Sequence, residues 1–184
     1  MIKTNPLSVK DIEELASNLR KEAGITDDVA FPIFDYINEL SDKGLLTIQI
    51  LDNNDSYLEE NVPAKYNTVD NFIYIKEQVL DDYENNIYWS NFTLAHELFH
   101  YLQSRILNFK FEDVVECKTY EDPEWQANNF AGELLVPKKY LDLDDEELVN
   151  RFKVTMECVL TRKVQRKKTV SYTHLRAHET LRHL

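Results

Sequence analysis

Two histidines and a glutamate lie close together in the segment TLAHELFHYL, residues 93–102. His96 and His100 are four residues apart, and Glu97 directly follows the first histidine. Residues four apart on a helix share one face, so the two imidazoles can bind one metal ion. A glutamate beside the first ligand can then activate a water molecule as general base. The alternative is a core helix with this pattern by coincidence. We favour a zinc site with Glu97 as the catalytic base.

The end of the chain, residues 170–184, differs from the rest. Residues 170–180, VSYTHLRAHET, resemble a translated sequencing adapter, and the end of the chain carries three of the five histidines. We therefore predict a non-native tail and a natural protein that is interrupted near residue 169. The alternative is a histidine-rich metal-binding tail formed by His174, His178 and His183. Without this tail, the remaining histidines are the two of the motif.

A catalytic zinc site needs a third protein ligand, and with no histidine left we expect a carboxylate. Glu124 is the best candidate because it follows a predicted helix start, where the helix dipole favours a negative group. Asn128 lies one turn further along the same face and could orient one of the imidazole rings. Glu121 and Glu133 are weaker candidates, and Asp122 is better placed as the N-cap of the helix.

The elements that position these residues are predicted to be helices around a small sheet. Ser8 and Asp11 have the spacing of a capping box at the start of a first helix, and Ser90 or Asn91 could cap the motif helix. The Asp122-Pro123 pair predicts another helix start. Further helices are expected over 31–44 and 144–152, strands over 45–51 and 71–77, and short strands around Tyr57, Val62 and Tyr66. Three Gly and five Pro argue against a turn-rich all-β fold. We predict an α+β domain.

Charge and cysteine content exclude several classes of protein. A net charge of −12 speaks against a general nucleic-acid binder, which needs clustered Lys and Arg. The first residues lack the apolar core of a signal peptide, and no segment has the length of a membrane span. Cys117 and Cys158 are isolated and lack metal-type spacing. We expect a cytoplasmic protein with free thiols that binds neither membranes nor nucleic acid directly.

Two segments carry a family resemblance. FTLAHELFHYLQ followed by EWQANNFAGELLVP resembles the ImmA/IrrE family of metallopeptidases, which pairs an AHE-x-x-H helix with an E-x-x-A-N-x-F-A-x-x-L-L-x-P helix. The similarity extends loosely over residues 30–165. It implies a helix-dominated, zincin-like domain with a small antiparallel or mixed sheet beside the motif helix. It also implies zinc ligands His96, His100 and Glu124, with Glu97 as catalytic base. Phe99 stands where the family commonly has glycine, which is expected to alter packing beneath the site or narrow the cleft.

The resemblance implies a zinc-dependent endopeptidase. Its substrate would be a specific helix-turn-helix repressor in phage, mobile-element or stress regulation, and an acidic enzyme suits a basic partner. One alternative is a non-catalytic zinc-binding regulatory protein that sequesters its partner, and another is a structural zinc site closed by a residue such as Cys117. The strand over 71–77 could offer an edge to an extended substrate, or be an ordinary sheet strand. We expect a metallopeptidase domain over 1–150, a truncated helical continuation over 151–169, and the tail over 170–184.

Overall fold

The computed structural model describes residues 1–166. The described helices are α1 (Val9–Glu22), α2 (Ile33–Asp42), α3 (Glu77–Glu84), α4 (Trp89–Tyr101), α5 (Pro123–Leu135), α6 (Asp145–Phe152) and α7 (156–166). The described strands are β1 (Ile2–Lys3), β2 (Thr47–Leu51), β3 (Ala64–Asn67), β4 (Phe72–Lys76) and β5 (Glu112–Asp113). Short stretches of π-helix and 3₁₀-helix occupy Leu102–Ile106, Thr119–Glu121 and Lys138–Tyr140.

Two helix starts form as their sequence signals predict. Ser8 accepts a hydrogen bond from the backbone N–H of Asp11, and the Asp11 carboxylate accepts one from the backbone N–H of Ser8, which completes the capping box of α1. At α5, the Asp122 carboxylate accepts a 2.9 Å hydrogen bond from the backbone N–H of Glu124, and Pro123 takes the first helical position. These local contacts satisfy donors that have no partner inside the helix.

The start of α4 differs from the prediction. The helix begins at Trp89, its N-cap is Tyr88, and no side chain caps it. Ser90 and Asn91 lie inside the first turn, where both are buried. The Asn91 amide donates a 2.7 Å hydrogen bond to the backbone carbonyl of Lys153, so this side chain serves a tertiary contact instead of a cap.

The larger sheet has three strands in the order β2-β4-β3. β2 is parallel to β4, and β3 is antiparallel to it, so the sheet is mixed. β4 is the central strand, with Ile73 and Ile75 fully buried. Of the two alternatives for residues 71–77, the ordinary sheet strand is correct and the edge for a substrate is wrong, because both edges of β4 are already paired, with β2 and with β3. β1 and β5 form a separate antiparallel pair.

The motif helix α4 lies at the centre of the packing. It contacts α5 most extensively and also contacts α2, α3 and β3, while α1 also packs against α5. Phe99 of α4 and Phe130 of α5 are fully buried, and their rings stack with centroids 4.4 Å apart. This arrangement confirms a helix-dominated α+β domain with a small mixed sheet beside the motif helix. The sequence analysis did not predict α3.

The C-terminal part of the described chain packs on α5. A buried ion pair joins Arg162 of α7 to Glu133 of α5. Within residues 1–166, none of the helices combines the length and apolar character needed to cross a bilayer. The predicted non-native tail over 170–184 lies outside the described residues, and the division at residue 150 stays a prediction.

Candidate metal centre

Three side chains from two helices converge on one point. His96 and His100 extend from α4, and Glu124 extends from the first turn of α5. The Nε2 atoms of the two histidines are 3.0 Å apart. The Glu124 carboxylate oxygens lie 3.2 Å from His96 Nε2 and 3.3 Å from His100 Nε2. The structure thus brings together the three residues that the sequence analysis selected as ligands, in a group that could hold a metal ion.

The spacing of these atoms fits a metal ion. Metal–ligand bonds of about 2.0–2.2 Å in tetrahedral geometry place the ligand atoms about 3.3–3.6 Å apart. The separations of 3.0–3.3 Å are within a few tenths of an ångström of that range. The histidine side chains are only 16% and 17% exposed, whereas Glu124 is 65% exposed, so the group opens to solvent on the Glu124 side.

The other ring nitrogens have amide partners. His96 Nδ1 lies 3.1 Å from Asn128 Oδ1, and His100 Nδ1 lies 3.0 Å from Gln103 Oε1. With these amide orientations, a neutral ring carries its hydrogen on Nδ1, facing the amide oxygen, and presents the lone pair of Nε2 to the centre. Two lone pairs and a carboxylate then face one another, an arrangement that a positive charge between them stabilises. This electrostatic argument supports a cation site independently of the spacing.

Two glutamines behind His100 were not predicted from the sequence. Gln103 lies in the π-helical turn Leu102–Ile106, and its Nε2 donates a 2.8 Å hydrogen bond to Gln126 Oε1. Gln126 in turn donates to the backbone carbonyls of Asn5 and Tyr120, each at 2.8 Å. The i+3 spacing from His100 could have indicated Gln103, whereas Gln126 depends on how α5 packs and has no signal of its own.

Glu97 occupies a different environment from Glu124. It is only 9% exposed, and its Oε2 accepts a 2.6 Å hydrogen bond from the backbone N–H of Tyr66 in β3. Burial raises the pKa of Glu97, and the nearby His100, His96 and Tyr66 N–H oppose this rise without cancelling it. Glu97 therefore holds a proton more readily than an ordinary carboxylate does.

The pKa values of the candidate ligands shift in opposite directions. Hydrogen bonds with His100 and then His96 hold the pKa of Glu124 well below its usual range. Burial alone would lower the pKa of His100, but the hydrogen bond to Glu124 and the charges of Glu97 and Glu124 raise it above its usual value. Without a metal ion, protons on the histidine rings supply the positive charge that the ionised Glu124 favours, and a bound metal ion would replace them.

The competing acidic residues have other roles. Asp122 is the N-cap of α5. Glu121 accepts a hydrogen bond from the backbone N–H of Lys118 and lies 3.7 Å from the Lys3 ammonium group. Glu133 is buried against Arg162 on another part of α5. None of the three belongs to the group formed by the histidines and Glu124 in the described part of the chain.

A cavity of about 550 Å³ reaches Asn128 beside the centre, but the three candidate ligands and Glu97 do not line it. Asn128, the partner of His96, lies in its wall together with Thr93 and the aromatic residues Trp89, Phe92 and Trp125. Phe99 does not line this cavity, because its ring is fully buried on Phe130. Phe99 therefore contributes to the packing of α4 against α5 and not to the wall of this cavity.

Comparison with known proteins gives a family and a fold. The peptidase M78 family, described as the IrrE N-terminal-like domain, matches residues 53–163, which is more than half of the chain. A solved structure of a Mycobacterium tuberculosis transcriptional regulator is similar, with a TM-score of 0.55 and 19% sequence identity. The similarity covers 82% of this chain but only 45% of that protein, and it supports the fold alone. A search of curated proteins found no match.

The family match includes both motif helices and so all the residues of the candidate centre. A metallopeptidase family implies a metal ion, and the group of His96, His100 and Glu124 has the geometry to bind one. The chain belongs to the ImmA/IrrE family of peptidases.

Proposed function

We propose that this protein is a zinc-dependent endopeptidase in which His96, His100 and Glu124 bind the metal and Glu97 is the catalytic base. The observation that carries the proposal is the convergence of two imidazole nitrogens and a carboxylate within 3.3 Å. Two histidines and one glutamate are a donor set of catalytic zinc sites, in which a fourth position remains for water. Membership of a peptidase family supports the same conclusion.

The side chains divide the chemistry between them. A bound zinc ion lowers the pKa of water and polarises a peptide carbonyl. Glu97 accepts the proton of the attacking water and then returns it to the leaving amine. The N–H of Tyr66 engages Glu97 Oε2, which leaves Oε1 to take the proton. The raised pKa of Glu97 suits this role, because a general base is most effective when its pKa is near the working pH. Asn128 orients the His96 ring through Nδ1.

The proposed substrate is a specific helix-turn-helix repressor made from a neighbouring gene. The family resemblance supports this substrate class. A net charge of −12 favours approach to a basic DNA-binding protein and disfavours direct contact with DNA. The cavity beside Asn128 offers aromatic surface to substrate side chains.

Co-expression with the repressor encoded beside this protein tests the proposal. We expect the wild-type protein to contain one zinc ion per chain and to cut the repressor, and Glu97→Gln to retain zinc but lose cleavage. Cleavage products are identified by mass spectrometry. Full-rate cleavage by Glu97→Gln would refute the role of Glu97. Stoichiometric zinc without cleavage of any candidate repressor would favour the sequestering regulatory protein instead.

A second comparison tests the third ligand. Glu124→Ala should lose zinc because it removes a ligand. Glu121→Ala is the matched control, since it removes a nearby carboxylate that lies outside the group. Wild-type zinc content in both variants would show that Glu124 is not the ligand.

A further inference from the structure

We propose that Gln103 and Gln126 form a positioning relay that fixes the ring of His100 in the tautomer able to bind a metal ion. The inference rests on the proposed metal centre and deepens it. Both glutamines are fully buried. The direction of every hydrogen bond in the relay follows from its far end, where two backbone carbonyls are fixed acceptors.

Gln126 is the anchored end of the relay. The carbonyl oxygens of Asn5 and Tyr120 both lie 2.8 Å from the same atom of the Gln126 side chain. A backbone carbonyl can only accept a hydrogen bond, so this atom must be the amide nitrogen with its two hydrogens. The amide oxygen of Gln126 therefore faces Gln103. The orientation of this amide is set by two backbone carbonyls, which have no alternative protonation state.

The orientation of Gln126 determines that of Gln103 and then that of His100. The Gln126 oxygen is an acceptor, so Gln103 must present its nitrogen to it, at 2.8 Å. The Gln103 oxygen then faces His100 Nδ1 at 3.0 Å, and that ring nitrogen must carry hydrogen. In the neutral ring, Nε2 is left with its lone pair, directed at His96 and Glu124. The relay thus selects the metal-binding form of His100.

Burial makes the relay selective. If either amide turned over, an oxygen would face an oxygen or two hydrogens would face each other, in a place where the fully buried side chains cannot turn to water. Unsatisfied buried polar groups are costly, so the alternative orientations are disfavoured. The partner of His96 differs in this respect, because Asn128 is exposed. Asn128 therefore provides an internal comparison for the anchored relay.

Metal binding and ring protonation test the relay without reference to cleavage. In metal-free protein labelled with ¹⁵N, at a pH high enough for the His100 ring to be neutral, we expect His100 to be mainly the Nδ1–H tautomer. Gln103→Met and Gln126→Met should give a mixture of tautomers. Gln103→Met should also weaken binding of Co²⁺ and Zn²⁺ by about 10–100-fold, as is usual for the loss of an outer partner of a ligand. The d–d absorption of bound Co²⁺ reports whether the ligand geometry changes.

Two further variants separate positioning from a general structural role. Gln103→Glu keeps an acceptor for His100 Nδ1 and, with a proton on its other oxygen, a donor to Gln126 Oε1. It should therefore retain the tautomer and more of the metal affinity than Gln103→Met. Asn128→Ala should alter the His96 ring signals and leave those of His100 unchanged. An unchanged His100 tautomer in Gln103→Met or Gln126→Met, or a mixture in Gln103→Glu, would overturn the relay. A wild-type protein that binds neither Co²⁺ nor Zn²⁺ would instead refute the metal centre of the proposed function.

Discussion

Replacement of Gly132 by alanine probes how α7 is held against the helix that carries Glu124. Gly132 lies inside α5, and a Cβ atom there would be 2.5 Å from the Cδ atom of Arg162. The Arg162 side chain cannot move aside freely, because its guanidinium group pairs with Glu133 and the two side chains are only 6% and 7% exposed. The absence of a side chain at residue 132 is therefore what lets α7 approach α5.

Two opposite effects decide the change in the free energy of unfolding. Alanine is favoured over glycine within a helix by about 1 kcal/mol. Overpacking of a buried contact costs about 1–3 kcal/mol. Displacement of the guanidinium group also weakens a buried ion pair, and complete loss of one partner of such a pair costs about 3–5 kcal/mol. We expect the steric and ionic costs to exceed the helix gain and Gly132→Ala to destabilise the protein by about 2 kcal/mol.

Urea denaturation followed by circular dichroism measures this effect in a double-mutant cycle with Arg162→Ala. In the Arg162→Ala background the clash is absent, so alanine at residue 132 should stabilise the protein by about 1 kcal/mol. The coupling free energy is then about 3 kcal/mol. Equal destabilisation by Gly132→Ala in both backgrounds, or stabilisation in the wild-type background, would refute this explanation of the α5–α7 contact.

Three further predictions concern other parts of the fold. Phe99→Ala should lower the free energy of unfolding by about 3–5 kcal/mol through loss of the stacked, fully buried ring. The zinc content of the folded variant should be unchanged, and loss of zinc would contradict the separation of this ring from the metal centre. Asp122→Ala should lower the free energy of unfolding by about 0.5–2 kcal/mol through loss of the N-cap, and it should weaken zinc binding because Glu124 lies in the first turn of the same helix. The control Asp144→Ala removes the equivalent cap of α6 and should affect stability alone. Equal zinc affinity in the two variants would refute the link between the α5 cap and the metal. Hydrogen bonds with Ser8, the N-cap residue of α1, lower the pKa of Asp11 below its usual 3.8. The Asp11 carboxylate therefore stabilises the fold above pH 3.8, and this stabilisation is lost as the pH falls through the folded-state pKa. The difference in unfolding free energy between wild type and Asp11→Asn should shrink over that pH range, and a constant difference would contradict the prediction.

The features predicted from sequence are those with local causes. The capping box of Ser8 and Asp11 and the Asp122-Pro123 start depend on residues within one turn, and the structure contains both. The two motif histidines share a helix face for the same reason. Glu124 could be selected because a helix start places it, although its approach to the histidines requires the packing of α5 on α4.

The features that were missed depend on packing between distant segments. Asn91 has the residue type of a cap but donates instead to the carbonyl of Lys153, a contact that spans much of the chain. The central position of β4 depends on strand order, which its own sequence does not specify. The role of Gln126 depends on the contacts of its amide with Gln103 and with the carbonyl of Asn5, which lies far away in the sequence. Sequence patterns alone cannot indicate such a partner.

The most direct test of the central claim is the rate at which zinc-loaded Glu97→Gln cleaves a repressor that the zinc-loaded wild type cuts. The two side chains have nearly the same size, and the amide cannot accept the proton of the attacking water. The proposed mechanism predicts equal zinc content and a loss of cleavage of at least about 100-fold, the usual contribution of a general base. Cleavage by Glu97→Gln at the wild-type rate would contradict it.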